Sequence, residues 1–360
     1  MATRRSGYFK TSYSHDMVLF DTPWRLLFLA LLTIAAVLFP AVAGGHWIHT
    51  GNLLFITIMG ALALNLLTGY AGQISLGHAA FMAVGAFASH WLASHGLPFV
   101  LVLPAAMAIG AVLGIVVGAP ALRLRGLYLI VATVGFHYIV AFLCNEYQTG
   151  GDMLQALTGL QLPHPELWVV TLDSPRKWYF FLLLVLACTT AFCVNLARTR
   201  PGRAWIAVRD RDITAAALGI NVARYKILAF VVSSALTCMT GSLLAHFLGS
   251  LSAEYFSLTL AISYLAMVVI GGAGSSAGAY LGAIFVTLLP HAITAVFETI
   301  GVTPKNAMLY IVPSQIAVFG IAMILFLMFE PKGLIGVWGR IRTYFELWPL
   351  RQSILSERRR

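Results

Sequence analysis

Residues 198–249, RTRPGRAWIAVRDRDITAAALGINVARYKILAFVVSSALTCMTGSLLAHFLG, change character once. Residues 198–226 carry seven cations (Arg198, Arg200, Arg203, Arg209, Arg211, Arg224 and Lys226), whereas residues 227–249 carry no Lys, Arg, Asp or Glu. A run of about 20 predominantly apolar residues crosses the hydrocarbon core of a bilayer as a helix. The boundary therefore reads as a charged loop entering a membrane.

The rest of the chain repeats that pattern. Only 10% of the 360 residues are charged and the mean hydropathy is +0.85, so the apolar surface exceeds what one aqueous core can hide. Ten apolar runs lie near 24–43, 52–70, 76–93, 98–120, 126–144, 178–197, 227–249, 258–273, 277–297 and 308–329. The fold expected is an all-α polytopic transmembrane helical bundle of about ten spans. A tail (1–23) precedes a transmembrane domain (24–330), and a basic tail (331–360) follows it.

Charge placement orients the bundle. With the N-terminus inside, the inner segments hold Arg4, Arg5, Lys10, Arg25, Arg123, Arg125, the seven cations of 198–226 and the seven from Lys332 to Arg360. Only Arg176, Lys177 and Lys305 are left outside, so both termini are expected on the cytoplasmic side. The formal charge of +10 thus follows the inner lipid face, and nucleic acid is not expected as a partner. Trp24, Trp205, Trp338 and Trp348 fall near the inner boundary, and Trp47, Trp91 and Trp178 near the outer one, where amphipathic rings are favoured. The segment FPAVAGG (39–45) mimics a signal-peptidase site through Ala41 and Ala43. The long preceding region with Asp16 and Asp21 argues against cleavage.

Chemistry of several kinds is missing. Cys144, Cys188, Cys193 and Cys238 lie in apolar runs without metal-ligand spacing, so no metal site is expected and the thiols read as buried small side chains. No G-x-x-x-x-G-K-[ST] occurs, so the chain has no phosphate-cradling loop of its own. Glu146, Glu254 and Glu298 sit at or beyond outer span ends, which gives little support to ion coupling. His78, His137, His246 and His291 read as hydrogen-bonded packing residues rather than proton relays. Nothing resembles a nucleophilic or metalloprotease site, and the chain is not expected to be an enzyme.

Two joints look alike. TGYAGQISLGHAAF (68–81) and IGGAGSSAGAYLGAIF (270–285) share G-x-A-G, at Gly69–Gly72 and Gly271–Gly274, before a small-residue helix start. Discontinuous helices exposing backbone donors would have this form, and so would two ordinary tight turns. On the first reading Gly72, Ser75, Gly77, His78, Gly274, Ser275 and Ser276 are candidate pathway residues, and both joints face inward. Gly110, Gly114 and Gly118 repeat along one helix face and are expected to pack inside the bundle.

Within the charged loop, RTRPGRAWIAVRDRD (198–212) suits a short segment at the membrane interface. Asp212 reads as an N-cap, Ala215, Ala216 and Ala217 as helix, and Gly219 as the left-handed closing residue. Ile213, Ala216, Ala217 and Ile220 recur at i, i+3, i+4, i+7 and define one apolar face. That face either lies on the chain's own bundle or lipid, or meets a separate motor.

Four segments in order, LNLLTGYAGQISLGHAAFMAVGAF (64–87), LRLRGLYLIVATVGF (122–136), GRAWIAVRDRDITAAALGINVARYKILAFVVSSALTCMTGSL (202–243) and MVVIGGAGSSAGAYLGAIF (267–285), resemble the permease subunits of branched-chain amino acid ABC importers, of the LivM type. The resemblance spans roughly 50–335 and leaves out both tails. It implies that 212–220 is a coupling helix seated in an ATPase subunit, with Asp212, Ile213, Ala215, Ala216, Ala217, Gly219 and Ile220 at the contact. The family's usual glutamate ahead of the alanines is replaced here by Asp212, with Thr214 following. Also implied are two ATPase subunits, which use the ATP, a LivH-like permease partner, a periplasmic substrate-binding protein, an inner (plasma) membrane location and no cofactor on this chain. A stand-alone ion-coupled carrier, or an ABC permease for urea, short amides or aromatic acids, are the alternative functions.

Overall fold

Each of the ten apolar runs is a helix in the computed structural model, which describes residues 23–124, 126–150, 159–162, 165–167, 170–299, 304–330 and 333–347. The order is α1 Pro23–Val42, α2 Gly45–Leu64 continued by a π-helical turn Asn65–Tyr70, α3 His78–Ser94, α4 Phe99–Ala121, α5 Leu127–Thr149 and α6 Pro175–Arg198. There follow α7 Arg200–Asp210, α8 Asp212–Ala217, α9 Val222–Leu248, α10 Leu258–Gly271, α11 Ser276–Thr299, α12 Pro304–Phe329 and α13 Gly333–Leu347. Among the described residues, four two-residue strands are the exceptions to helix: Leu160–Gln161 pairs with Ser250–Leu251, and Glu166–Leu167 with Val170–Thr171. The residues before Pro23 and after Leu347, with Arg4, Arg5, Lys10 and Trp348 among them, and also Arg125 and Lys332, lie outside the described residues.

Among the described residues, six helices are by themselves long and apolar enough to cross a membrane: Gly45–Tyr70, Phe99–Ala121, Leu127–Thr149, Pro175–Arg198, Val222–Leu248 and Ser276–Phe297. Shorter apolar helical stretches occupy Ala30–Val42, Leu258–Gly271 and Pro313–Phe326. α3, with 17 residues, is shorter than the six long helices, and His78, Ser89, His90 and Ser94 make it less apolar. Its first turns are buried from His78 to Ala83, so neighbouring helices rather than lipid surround them.

Two helices form the middle. In α2 and α9, 67% of the span is buried, against 28% or less in the other four long spans. α9 packs on α2, α3 and α4, and most of its buried hydroxyls find acceptors, as a water-free interior favours, Ser242 Oγ being the exception among the described residues. Ser233 Oγ donates to Ala63 O (2.7 Å), Ser234 Oγ to Gly110 O (2.7 Å), and Thr237 Oγ1 to Ser233 O (2.7 Å). The contact with α4 uses the glycine stripe as expected. Gly110, Gly114 and Gly118 are buried, and a Cβ on Gly110 would sit 2.6 Å from Cys238 Sγ. On the α3 side, a Cβ on Gly85 would overlap the Cys238 backbone and one on Gly241 the Met82 backbone. Large exposed side chains such as Leu127, Val131, Ile139 and Phe142 leave the outer face of α5 apolar, as a lipid-facing surface needs.

Several local expectations change. Cys144, Cys193 and Cys238 are buried but Cys188 is exposed, because it lies on the outward face of the peripheral helix α6. Trp47, Trp91 and Trp338 are half exposed, whereas Trp178 and Trp205 are turned inward, 5% and 1% exposed. The side chain of Trp24 lies outside the described residues. His78, His246 and His291 are hydrogen-bonded to Thr237 Oγ1, Ser242 O and Thr287 O; His137 is buried with no partner on Nδ1 among the described residues. Within the basic segment 331–360, residues 333–347 form α13, whose Gly333 lies against Ile270 and Gly272.

Candidate coupling site and paired joints

α7 begins at the Thr199–Pro201 turn, where a proline in the first helical turn costs no hydrogen bond. One of its faces buries Gly202, Ala204, Trp205 and Val208, and Trp205 Nε1 donates to Tyr225 O at 2.8 Å, tying α7 to the start of α9. The interfacial segment expected here is thus a helix docked on the protein itself. Arg211, in extended conformation (φ −155°, ψ 99°), breaks α7 from α8.

α8 starts one residue earlier than the capping pattern implied. Asp212 lies in its first turn, Arg211 being the N-cap residue, and its carboxylate faces Lys226 Nζ at 3.8 Å, a pair worth roughly 1 kcal/mol or less. Gly219 closes the helix at φ +84°. Ile220 N donates to Ala215 O and Gly219 N to Ala216 O, both at 3.0 Å, which is the Schellman arrangement of a left-handed C-terminus. Ala215 is buried against the bundle, while Ile213 and Leu218 are 77% and 78% exposed and Ala216 and Ala217 are exposed with them. Of the expected face, only Ile220 is half covered. The apolar face of α8 therefore does not rest on the chain's own bundle.

The two glycine joints meet at the same end of the molecule. Asn65, in the π-helical turn, accepts from Gly274 N at 2.9 Å and donates to Ser275 O at 3.1 Å. Tyr70 Oη lies 3.3 Å from Ser276 Oγ, and a Cβ on Gly274 would sit 3.1 Å from Gly69 O. Arg209, from the last turn of α7, donates through Nη1 to Gly69 O, and its Cγ would lie 2.9 Å from a Cβ on Gly72. Gly72, Gly274, Ser275 and Ser276 are thus gathered beside the start of α8.

Ser75, Gly77 and His78 form a second group further along. Ser75 Oγ accepts from Gly77 N (3.2 Å), Leu76 N donates to Thr133 Oγ1 (3.1 Å), and His78 Nδ1 lies 3.2 Å from Thr237 Oγ1 with its ring 4.8 Å from that of Tyr264. Ser275 Oγ accepts from Gly278 N at 3.3 Å. The amides of Leu76, Gly77, Gly274 and Gly278 are therefore satisfied within the chain.

Asn65, Arg209 and Thr133 were not singled out by the sequence. Asn65 did carry a signal, being a lone amide in the apolar run ALALNLLTG, where an unpaired polar group is costly. Nothing in the spacing distinguished Arg209 from the six other cations of its loop. No group of three or more metal-ligating side chains occurs among the described residues.

Residues 49–328 match the family of branched-chain amino acid transport system permease components. The chain belongs to that family. It is 33% identical over 295 residues to the high-affinity branched-chain amino acid transport system permease protein LivM of Escherichia coli (strain K12), covering 74% of this chain and 68% of that one. It is 28% identical over 277 residues to the autoinducer 2 import system permease protein LsrC of Enterobacter sp. (strain 638), covering 73% and 76%. The E. coli permease LivH is 30% identical over 122 residues, 34% of this chain and 38% of that one. No solved structure matches the chain. As a member of this family the chain is a multi-pass permease of the inner (plasma) membrane and not an enzyme.

Proposed function

We propose that this permease is the membrane-spanning subunit of an ATP-driven ABC importer for branched-chain or related apolar amino acids. Its ten apolar helices cross the membrane with both termini in the cytoplasm. Asp212, Ile213, Ala215, Ala216, Ala217, Gly219 and Ile220 build the coupling helix that seats in an ATPase subunit. The partners are two ATPase subunits, a LivH-like permease and a periplasmic substrate-binding protein. ATP is used by the partners, and this chain needs no cofactor.

The observation that carries this reading is the short helix α8, its fold closed by Gly219 and its apolar side chains Ile213 and Leu218 turned to the outside. A 77–78% exposed pair of branched residues beside buried Trp205 and Ala215 suits a surface completed by another protein. Displacement of α8 by closing ATPases would act on the joints directly behind it, and access would alternate between two arrangements of the bundle. Coupling of this kind requires that the ATPases contact the two states differently. The joints, with Gly72, Ser75, Gly77, His78, Gly274, Ser275 and Ser276, are then the moving inner end of the pathway.

A tagged chain purified in mild detergent should bring a P-loop ATPase with it, and proteoliposomes holding this chain alone should show no ion-driven uptake. Cross-linking that finds residues 212–220 on the periplasmic side, or uptake that persists without any nucleotide hydrolase, would overturn the reading.

A further inference from the structure

The G-x-A-G joints and the last turn of α7 share one slot. Gly69 contributes the carbonyl that takes the Arg209 guanidinium. Gly72, at φ +69°, lets the Arg209 stem lie across it, since a Cβ there would be 2.9 Å from Cγ, 3.2 Å from Cβ and 3.3 Å from Cα of Arg209. Gly274, at φ +84°, leaves room for Nη1, and its amide is held by Asn65. Three glycines of the two motifs thus line the path of one arginine side chain. Any side chain at Gly72 or Gly274 would occupy that path.

Arg209 stands three positions before Asp212, and Trp205 fixes the middle of the same helix to Tyr225 O. A displacement of α8 therefore reaches the slot through a short connection. Beside the slot lies a cavity of about 270 Å³ lined by Arg209, Gly72, Gln73, Asp210 and Lys226 among others. Gln73 is 5% exposed, and neither polar atom of its side chain has a partner among the described residues. The guanidinium thus has open space beside it, lined by Asp210 and Asp212 and bordered by Gln73, whose buried carboxamide lacks a partner among the described residues. A side chain with room for a second position is the kind of two-state element through which coupling travels.

We propose that Arg209 is the positioning residue that transmits movement of the coupling helix to the paired joints, locking them when it holds Gly69 and releasing them when it withdraws toward Gln73. This rests on the ATP-driven importer reading above. Substrate contact is not required of it.

The test uses the complete transporter purified through a tag on this chain and reconstituted with its binding protein, comparing wild type, Arg209→Met and Arg209→Lys. Assembly, ATP hydrolysis and substrate uptake are measured together. With assembled complexes, uptake per ATP hydrolysed should fall about tenfold or more in Arg209→Met and recover in part in Arg209→Lys, which keeps a charged donor. Gln73→Leu, which leaves the Gly69 contact intact, should lower the same ratio. Wild-type ratios in Arg209→Met would overturn the inference while leaving the importer reading intact. Failure of both arginine variants to assemble would also overturn it, because Arg209 would then serve folding alone. A wild-type chain that brings no ATPase with it would overturn the importer reading itself.

Discussion

Asn65 and Gly274, 209 residues apart in sequence, meet at 2.9 Å, with the Gly274 amide donating to the Asn65 side-chain oxygen. The same carboxamide donates to Ser275 O at 3.1 Å, so one side chain in the first joint satisfies the entry to the second. Asn65→Leu keeps the number of side-chain heavy atoms and removes the acceptor of the part-buried Gly274 amide. The expected cost is about 1–3 kcal/mol, read as a lower unfolding temperature of the detergent-solubilised chain. An unchanged temperature would mean that the joints are held together by packing alone.

Gly219 differs from most glycines here because open space surrounds it, so only its φ of +84° requires the residue. Gly219→Ala should cost about 1–2 kcal/mol through the left-handed backbone, and Gly219→Val more. The effect falls on α8, and it should appear as less uptake per ATP in the reconstituted transporter with little change in the melting of the bundle. Normal uptake by Gly219→Val would remove the coupling role from this segment.

Ile213 and Leu218 stand 77% and 78% exposed. Replacing both by Asp should leave the stability of the isolated permease within about 0.5 kcal/mol per site. If they anchor an ATPase, the loss at that interface should be about 2 kcal/mol or more, roughly thirtyfold in affinity. Co-purification in mild detergent reads the difference. Retention of the ATPase by the double variant would place the docking surface elsewhere.

Gly241 and Gly135 make a contrast. A Cβ on Gly241 would overlap the Met82 backbone, whereas nothing lies within 4 Å of one on Gly135. Gly241→Ala should push α3 and α9 apart at a cost of about 1–3 kcal/mol or more. Gly135→Ala, in the middle of α5, should be neutral or stabilise the helix by up to about 1 kcal/mol. Thermal unfolding of the two variants side by side tests the packing described for α9.

The ten apolar runs were readable because burial in lipid demands long stretches of one character, and most helices begin and end within about five residues of the runs, α2 starting earlier, at Gly45. Gly219 and the Gly110–Gly118 stripe were readable for a similar reason: each needs a residue type that has few other uses at that position. What the order of residues did not disclose depends on distant partners. The inward turn of Trp205 is decided by Tyr225 O, and the role of Asp212 by Lys226 Nζ. The exposure of Cys188 follows from the placement of α6 at the periphery. The convergence of the joints on Arg209 was out of reach, because cations in a charged loop look alike until one of them is given a slot.

The Asn65 bridge also bears on how the molecule is made. A ribosome delivers residue 65 to the membrane long before residues 274 and 275 exist, so the carboxamide of the second helix must wait in the bilayer, hydrated or held by another protein, until its acceptors emerge. In hydrocarbon an unmet amide of this kind costs several kcal/mol. Biogenesis of this permease therefore has a late closing step, in which the C-terminal part of the chain completes a polar contact that the N-terminal part has carried open throughout synthesis.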